Sequence, residues 1–394
     1  MSEWQKVNLG DCCEITSSKR IFFSEYVESG IPFYRSKEII EKGKGEEISH
    51  PLYISKEKYD EIKGKYGVPQ KGDLLLTAVG SLGIPFVVKD DTPFYFKDGN
   101  LVWLKHFQDI DPIFLYYWIK SENGYNALYN IAIGSAQKAL TIAAIKGYEI
   151  PLPPLQTQHR IATILSRYDS LIENYQKQIK LLEEAAQRLF KEWFVDLHFP
   201  GHENTKIVDG VPEGWEKKKL IDLVDVQYGY AFDGHLFNSK EEGTPIVRIR
   251  NIPDGYTNDY TTEEASESYI INDGDILVGM DGIFHINTWS GGKAFLVQRA
   301  CSFRPKDDSM KGFILQAIYE PIKFFENTVV GATVAHLGKK HIDSIELLVS
   351  KNVSLYKPFE KMFNERQTLK SQLRLLTEAR DRLLPKLMSG EITV

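Results

Sequence analysis

The sequence predicts an α+β protein in which two mixed, mainly β domains are combined with two long coiled-coil helices as an internal duplication. Apolar residues recur with a 3.5-residue period in two long stretches, and five short sequence blocks occur twice in the same order. The 394 residues exceed what one hydrophobic core usually organises, and 42% hydrophobic with 26% charged residues is typical of globular chains. We therefore expect a protein of several domains.

The first long helix is predicted by apolar residues whose gaps alternate between four and three without interruption. This spacing predicts a helix from about Thr157 to Val195, roughly 60 Å long at 1.5 Å per residue. Heptad position d falls on Ile161 and position a on Leu165. The predicted seam consists of Ile161, Leu165, Tyr168, Ile172, Tyr175, Ile179, Leu182, Ala186, Leu189 and Trp193.

The C-terminal stretch repeats the heptad phase, with Arg366 and Arg380 at two a positions, where polar residues fix register and partner at some cost in stability. Each stretch could instead be an amphipathic helix packed on its neighbouring domain. The match between "LEEAAQRLF" at 182–190 and "LTEARDRLL" at 376–384 favours duplicated coiled-coil helices. The second seam consists of Phe359, Met362, Leu369, Leu373, Leu376, Leu383 and Leu387.

The duplication extends into the globular regions, where matched blocks keep their order while the spacing drifts. This predicts domains at 1–152 and 215–352, helices within 153–199 and 353–394, and a Gly- and Pro-containing linker at 200–214. The matched blocks are Trp4-Gln5-Lys6 with Trp215-Glu216-Lys217, "SGIPFYR" (29–35) with "EGTPIVR" (242–248), "KGDLLLTAVGSLG" (71–83) with "DGDILVGMDG" (273–282), and "GSAQKAL" (134–140) with "GATVAHL" (331–337).

Short apolar runs bounded by Gly, Asp or Pro predict the strands of each domain. Two longer runs, "DPIFLYYWIK" at 111–120 and "MKGFILQAIYE" at 310–320, predict helices. The strand signals are "DLLLTAV" (73–79), "PFVVKD" (85–90), "DILVGM" (275–280), "FLVQ" (295–298) and "IELLV" (345–349).

Several classes of site are missing from the sequence. It has no GxxxxGK[ST] loop for nucleotide phosphates and no GxGxxG that opens a helix after a strand. The three cysteines, Cys12, Cys13 and Cys301, form neither a disulfide framework nor a zinc site and are expected to be half-buried thiols. No signal peptide or long apolar run is evident, so we expect a cytoplasmic protein without a membrane partner. From the missing site motifs we expect neither a bound metal nor catalytic residues.

The loops instead carry hydrogen-bonding side chains among glycines and aromatic residues. Arg can bond guanine bidentately and Asn can do the same to adenine, while Gly-rich loops such as Gly80–Gly83 and its expected counterpart Gly279–Gly282 offer amides to phosphate. The candidate DNA-binding residues are Arg20, Arg35, Ser36, Lys37, Ser81, Ser135, Gln137, Lys138, Tyr228, Arg248, Arg250, Asn251, Asp281, His285, Thr333 and His336.

The sequence resembles the specificity (S) subunit of type I DNA restriction-modification enzymes. The motif "IPLPPLQTQHRIATILSRYDSLIENYQKQIKLLEEAAQRLFKEWF" at 150–194 is similar to that family's central conserved region. "VPEGWEKKKLIDL" at 211–223 and "LTEARDRLLPKLMSGEI" at 376–392 resemble the opening of its second half and its distal conserved region. The distal copy departs from the pattern, because "LLVSKNVSLYKPF" at 347–359 replaces the "PLPPL" run.

The resemblance implies two target recognition domains, each reading one half of a bipartite site in double-stranded DNA, and two helices packed antiparallel. It implies a chain without catalysis or cofactor of its own. Two modification (methyltransferase) subunits would bring S-adenosylmethionine, and restriction subunits would bring ATP and Mg. The copies differ in sequence, so an asymmetric target is expected.

Two other functions remain open from the residues alone. The duplicated domains could bind protein as a structural adaptor, or carboxylates such as Asp254, Glu263 and Glu264 could serve a nuclease. The formal net charge of −6 argues against strong DNA binding by the isolated chain. Most of this acidity lies in residues 201–353, so we expect that basic partner subunits help to hold the duplex.

Overall fold

The computed structural model describes residues 4–134, 138–328 and 335–394. The chain folds into two compact units, Met1–Glu173 with Leu376–Val394, and Asn174–Leu375. Each unit contains one mainly β domain together with part of each long helix. The division therefore falls within the two helices, whereas the sequence predicts separate domain and helix segments.

The first domain contains short strands and helices in alternation. Helix α4 shows how the sequence sets an end: Asp111 accepts hydrogen bonds from the amides of Ile113 and Phe114, and Pro112 occupies the first turn. The elements are β1 (Gln5–Asn8), α1 (Leu9–Cys12), β2 (Glu14–Thr16), β3 (Tyr26–Val27), β4 (Ile31–Tyr34), α2 (Ser36–Lys44), β5 (Leu52–Ile54), α3 (Lys56–Tyr66), β6 (Leu74–Thr77), β7 (Pro85–Val87), β8 (Tyr95–Phe96), β9 (Leu101–Lys105), α4 (Pro112–Lys120), α5 (Glu122–Ile131), α6 (Ile142–Lys146) and β10 (Glu149–Leu152).

The second half of the chain begins with the first long helix, which continues into a π-helical turn at Lys191–Val195. The elements are α7 (Leu155–Phe190), β11 (Ile207–Val208), β12 (Val211–Pro212), β13 (Trp215–Lys219), α8 (Leu220–Leu223), β14 (Val224–Tyr228), β15 (Phe237–Asn238), β16 (Thr244–Val247), β17 (Tyr260–Thr261), β18 (Ile270–Ile271), β19 (Ile276–Gly279), β20 (Ile286–Thr288), β21 (Ala294–Leu296), β22 (Ala300–Pro305), α9 (Lys311–Ala317), α10 (Tyr319–Thr328), α11 (Lys339–Asp343), β23 (Glu346–Ser350) and α12 (Lys357–Met388).

The sheets of the two domains have matching strand orders, which confirms the internal duplication. The order β2-β9-β6-β7 in the first domain matches β14-β22-β19-β20 in the second. The order β3-β5-β4-β8 matches β15-β17-β16-β21, to which the second domain adds β18. In both copies one strand pair is parallel, with Phe33 opposite Tyr95 and Ile246 opposite Phe295.

The first and last strands of each domain also pair in the same way. Strand β1 lies antiparallel to β10, and β13 lies antiparallel to β23. The distal copy therefore keeps this strand although it lacks the proline run at that point. The predicted linker differs from expectation, because residues 200–214 include the hairpin of β11 and β12.

The periodicity predicts the extent of α7 closely, since α7 and its π-helical turn run from Leu155 to Val195. Every predicted seam residue on both helices is buried or half-buried. In the first unit, Asp169 of α7 pairs with Arg380 of α12 at 2.7 Å, whereas Leu165 shares a core with Leu387. The helices therefore run antiparallel there, as the resemblance implies.

In the second unit the same antiparallel arrangement holds. Glu183 pairs with Arg366 at 2.6 Å, and Phe190, further along α7, lies 6.5 Å from Phe359 between ring centroids. Phe359 and Phe194 also belong to the core of the second domain. The two helices therefore pack on each other, as the heptads predict, and the ends that carry these residues pack on the neighbouring domain as well.

The cysteines differ from expectation. Cys12, Cys13 and Cys301 are buried rather than half-buried, with relative exposures of 5%, 7% and 0%. Cys12 and Cys13 lie in the core of the first domain and Cys301 in that of the second. Strand β22 places Cys301 on its inner face, which the isolated sequence position does not reveal.

Candidate nucleic-acid interface

In the first domain, predicted residues meet at the turn between β8 and β9. Arg20 Nε donates to Asp98 Oδ2 at 2.9 Å, and Ser36 Oγ donates to the Asn100 carbonyl at 3.3 Å. The same carbonyl accepts a hydrogen bond from the Ala78 amide at 2.8 Å. This turn therefore gathers two side chains and one backbone amide from three distant parts of the chain.

Arg35 is tied to the start of α2. Its amide donates to Glu38 Oε2 at 2.8 Å and its Nη2 donates to Glu38 Oε1 at 2.5 Å. Burial raises the pKa of Glu38, but the hydrogen bonds from Arg35 outweigh burial, so the pKa lies below its ordinary value. Lys37 is exposed and lies 3.6 Å from Glu41. Arg35 thus stabilises the helix start, and Lys37 is more accessible to a ligand.

The loop after β6 has the open backbone that its sequence predicts. Gly80 and Gly83 have φ angles of 80° and 75°, which glycine adopts without the steric cost of a Cβ atom. The Thr77 hydroxyl donates to the Ser81 carbonyl and accepts from the Ile84 amide. Ser81 itself is exposed at the tip of this braced loop.

Aromatic rings connect this loop to Lys138. A Cβ atom on Gly83 would lie 3.7 Å from the Tyr125 ring, and Tyr125 stacks on Tyr129 with centroids 6.2 Å apart. Lys138 Nζ lies 3.6 Å from the centre of the Tyr129 ring. A half-exposed pair of tyrosines with a cation over one ring is a surface on which a base or another planar group can stack.

The expected counterpart of this loop in the second domain is shifted by three residues. Leu74 lies opposite Leu104 on β9, and Ile276 lies opposite Phe303 on β22. Counting along these matched strands, Gly80 corresponds to Gly282, which also has a positive φ of 69°. Gly282, rather than Gly279, is therefore the matching glycine.

Three predicted residues of the second domain share the carboxylate of Asp259. Arg248 Nη2 lies 2.6 Å from it, Arg250 Nη2 donates at 2.9 Å, and Asn251 Nδ2 donates at 3.1 Å. Burial raises the pKa of Asp259, but these donors outweigh it and the pKa falls below its ordinary value. Asn251 Oδ1 also accepts from the Arg248 amide. Asp259 therefore organises this group of donors.

Asp281 and His336 come together with an arginine that the sequence did not single out. Arg299 Nη1 donates to Asp281 Oδ2 at 2.5 Å, and His336 Nδ1 lies 2.5 Å from Asp281 Oδ1. Burial raises the pKa of Asp281, but His336 and Arg299 outweigh burial and hold the pKa below its ordinary value. Arg299 lies in the turn before β22, which matches the turn that holds Asn100.

Other predicted residues are not part of these groups. Tyr228 is half-buried on β14, where burial raises its pKa to about 12. His285 lies in the β19–β20 turn and its carbonyl accepts from the Gly279 amide at 2.9 Å. Ser135, Gln137 and Thr333 lie outside the described residues.

The candidates predicted from the sequence do not include Asp98, Asp259 and Arg299. They also do not include two aromatic residues close to Arg20 in the sequence. Phe22 and Phe23 are exposed, the latter by 87%. The sequence signal for these rings is the Phe22-Phe23 pair, which follows Lys19-Arg20 after one intervening residue. The carboxylates had none, because their arginine partners are identified only by the path of the loops.

Within residues 4–134, 138–328 and 335–394, no three His, Cys, Asp or Glu side chains are grouped as a metal site requires. None of the described helices is long and apolar enough to cross a membrane.

Comparisons with known proteins agree with the fold. The family model described as "Type I restriction modification DNA specificity domain" matches residues 1–184 and 212–350. The MjaIX specificity subunit of Methanocaldococcus jannaschii is 29% identical over 351 residues, covering 82% of this chain and 78% of the relative. The HindI specificity subunit of Haemophilus influenzae is 21% identical over the full length of both chains.

The fold also resembles a solved structure. The crystal structure of the type I restriction-modification S subunit from M. genitalium superimposes with a TM-score of 0.62 at 18% identity, over 98% of this chain and 96% of the other. The family match covers most of the chain, in both of its mainly β domains. The chain belongs to the type I restriction-modification DNA specificity subunit family.

Proposed function

We propose that this chain recognises an asymmetric bipartite DNA site, with each mainly β domain reading one half. The observation that carries the proposal is that two domains with matching strand orders carry different polar groups at matching turns. Arg20, Asp98 and Asn100 lie at the turn of the first domain, whereas Arg299 and Asp281 lie at that of the second. Different donors at equivalent places would select different bases.

The helices α7 and α12 would separate the two readers and leave the intervening bases unread. Helix α7 is continuous over 36 residues, or about 54 Å at 1.5 Å per residue. Several leucines outside the seam are exposed on these helices, including Leu171, Leu181 and Leu375. Exposed apolar side chains of this kind are suited to burial against helices of modification (methyltransferase) subunits.

The chemistry would belong to the partner subunits. Modification subunits would supply S-adenosylmethionine for methylation, and restriction subunits would supply ATP and Mg for cleavage. This chain would act without catalysis of its own, and its net charge of −6 would make its DNA binding weak in isolation. The proposed division of labour makes the specificity subunit the sole determinant of sequence.

Methylome sequencing tests the proposal directly. The chain is expressed with its modification subunits in a strain without other DNA methylation, and methylated positions are mapped. The expected result is one split motif with two different halves. A contiguous motif, or a motif unchanged when the chain is replaced by another specificity subunit, would contradict the proposal.

Binding measurements separate this function from a protein-binding adaptor. Fluorescence anisotropy of the assembled complex on a duplex should show an affinity that falls as salt rises, because phosphate contacts release counterions. An affinity independent of salt, or no binding to DNA, would favour the adaptor.

A further inference from the structure

The turn that precedes β22 holds Arg299 in an uncommon backbone conformation. Its φ is 67°, in the left-handed region that residues with a Cβ atom adopt only at a steric cost. The Arg299 carbonyl accepts from the Met280 amide at 2.8 Å, which holds the turn against the end of β19. Residues in sparsely populated backbone regions cluster at binding and active sites, although five other described non-glycine residues also have a positive φ.

The Arg299 side chain is both exposed and oriented. It is 68% exposed, whereas the Asp281 side chain that receives its Nη1 hydrogen bond is 13% exposed. His336 contacts the second oxygen of Asp281, so the carboxylate is held from both sides. Among the described residues, Nε and Nη2 of Arg299 make no hydrogen bond. These two atoms form one bidentate edge of the guanidinium.

A bidentate edge of this kind fits the major-groove face of guanine, where N7 and O6 are adjacent acceptors. Phosphate is a poorer match, because Asp281 neutralises the guanidinium and would repel a phosphate brought close to it. Asp281 also restricts the side-chain rotamers of Arg299, which lowers the entropy lost when a base is bound.

The first domain lacks this arrangement at the matching positions. The strand registers place Asn100 where the second domain has Arg299, and Val79 where it has Asp281. The isolated bridges confirm the match, since Val79 lies opposite Ala139 and Asp281 lies opposite His336. A guanine reader at this point would therefore belong to one half of the target only.

We propose that Arg299 is a guanine-reading residue of the second domain, with Asp281 and His336 as positioning residues. The inference rests on the proposed function, because it assigns a base to a domain already proposed to bind DNA. It makes the identity of one base in one half-site depend on this side chain.

Arg299→Gly is the decisive variant. Glycine adopts a φ of 67° without strain, so the variant loses the guanidinium while its thermal unfolding temperature should not fall. Methylome sequencing of the complex should show one guanine in one half-site become degenerate, with discrimination against other bases reduced roughly 5- to 150-fold. The other half-site should be unchanged. Arg299→Lys should give a similar loss, because an ammonium cannot form the bidentate pair.

Asp281→Asn tests the positioning role. It should weaken preference at the same guanine less than Arg299→Gly does, since the arginine remains but is no longer held by a charge. Lys218→Ala is the matched control: it removes a surface cation that lies 3.2 Å from Glu216 in the same unit and should leave the motif intact.

The outcomes distinguish this inference from the proposed function. A wild-type complex without any split methylated motif would remove both. A split motif in the wild type that Arg299→Gly leaves unaltered would overturn the guanine assignment alone. Equal weakening on all DNA sequences would place Arg299 on phosphate and would also overturn it.

Discussion

The two units attach their mainly β domains to the long helices with different chemistry. In the second unit, polar side chains of α12 donate hydrogen bonds to residues at the end of β20. Arg366 Nη2 donates to Asn287 Oδ1 at 2.8 Å, and Lys370 Nζ donates to the Thr288 carbonyl at 2.5 Å. Gln367 donates to the carbonyl of Trp289. We call this group of contacts the β20 clamp.

The first unit has no such clamp at the matching strand among its described residues. Strand β7 has the sequence Pro-Phe-Val, and the residue after next, Lys89, forms only an exposed ion pair with Glu173 at 2.9 Å. The polar contact of this unit lies elsewhere, where Tyr117 and Arg380 each bond Asp169 at 2.7 Å. The same fold is thus stabilised on the helices by a buried polar network in one copy and, in the other, by a smaller group in which Asp169 and Arg380 are half-buried.

A duplicated scaffold can therefore keep its strand order while its attachments to the helices diverge. A buried polar network strongly penalises the loss of any member, because the remaining partners stay desolvated. Asp169 and Arg380 are 27% and 19% exposed, so water can replace a partner that either of them loses. The second domain should therefore be the more sensitive to substitution at the helix.

Arg366→Ala should have the largest effect. The side chain is 10% exposed and donates to Glu183, Thr288 and Asn287, so its removal takes one ion pair and two hydrogen bonds out of a buried network. We expect the free energy of unfolding of the second unit to fall by about 3 kcal/mol. Hydrogen exchange of the amides in β19 and β20 measures this loss of unfolding free energy in the strands next to the clamp. A loss below about 1 kcal/mol would show that the clamp does not stabilise this domain.

Arg380→Ala is the matching test in the first unit. The Arg380 side chain is 19% exposed, and Asp169 keeps its hydrogen bond from Tyr117. A smaller loss of about 1–2 kcal/mol is expected for unfolding of that unit. If Arg380→Ala costs as much as Arg366→Ala in the same exchange experiment, the contrast between the two attachments is wrong.

The clamp should also respond to pH through Lys370. Burial, and then repulsion by Arg366, lower the pKa of Lys370 well below its ordinary value, while Glu183 and Asp273 oppose the shift. Between that lowered pKa and about 10.4, the unfolded chain binds a proton that the folded chain does not. Stability contributed by this group therefore rises with pH there, by at most about 1.4 kcal/mol per pH unit.

Lys370→Met should remove this contribution. Denaturant unfolding of wild type and variant at about pH 9 and about pH 10 measures the difference in slope. A variant with the same pH dependence as wild type would mean that Lys370 keeps its proton in the folded state.

Arg188→Ala should have the smallest effect. Its side chain is 82% exposed and pairs with Glu184 at 3.5 Å on the surface of α7. Surface pairs of this type contribute little, and we expect a change below about 0.5 kcal/mol in unfolding free energy. A larger change would indicate that exposed helix charges, rather than the clamp, dominate the stability of this unit.

Local periodicity explains why the helices and strands were predictable. The spacing from Ile161 to Trp193 is a property of the sequence, and the seam it predicts is buried or half-buried throughout. The strand signals at 73–79 and 275–280 contain β6 and β19. The candidate DNA contacts remain predictions, although the structure gathers several of them.

Residue type alone could not show how the candidate cations are used. The sequence predicts that Arg35 and Arg248 are accessible donors, yet each forms an ion pair with a carboxylate of its own domain. The partner of Arg248 is Asp259, and the intervening loop brings the two side chains together. The expected half-burial of Cys301 is wrong, because pairing of β22 with β14 and β19 sets the face on which this residue lies, and the sequence does not show that pairing.

The repeated plan of this protein can be predicted from its amino-acid sequence, because heptad spacing, strand patterning and recurring blocks are local features of the chain. Tertiary contacts, in contrast, set which charged side chains are neutralised and which keep a bidentate edge without a partner among the described residues. Arg299 and Asp281 are 18 residues apart, and they meet because β19 and β22 pair in one register. A shift of that register would separate them without changing the composition.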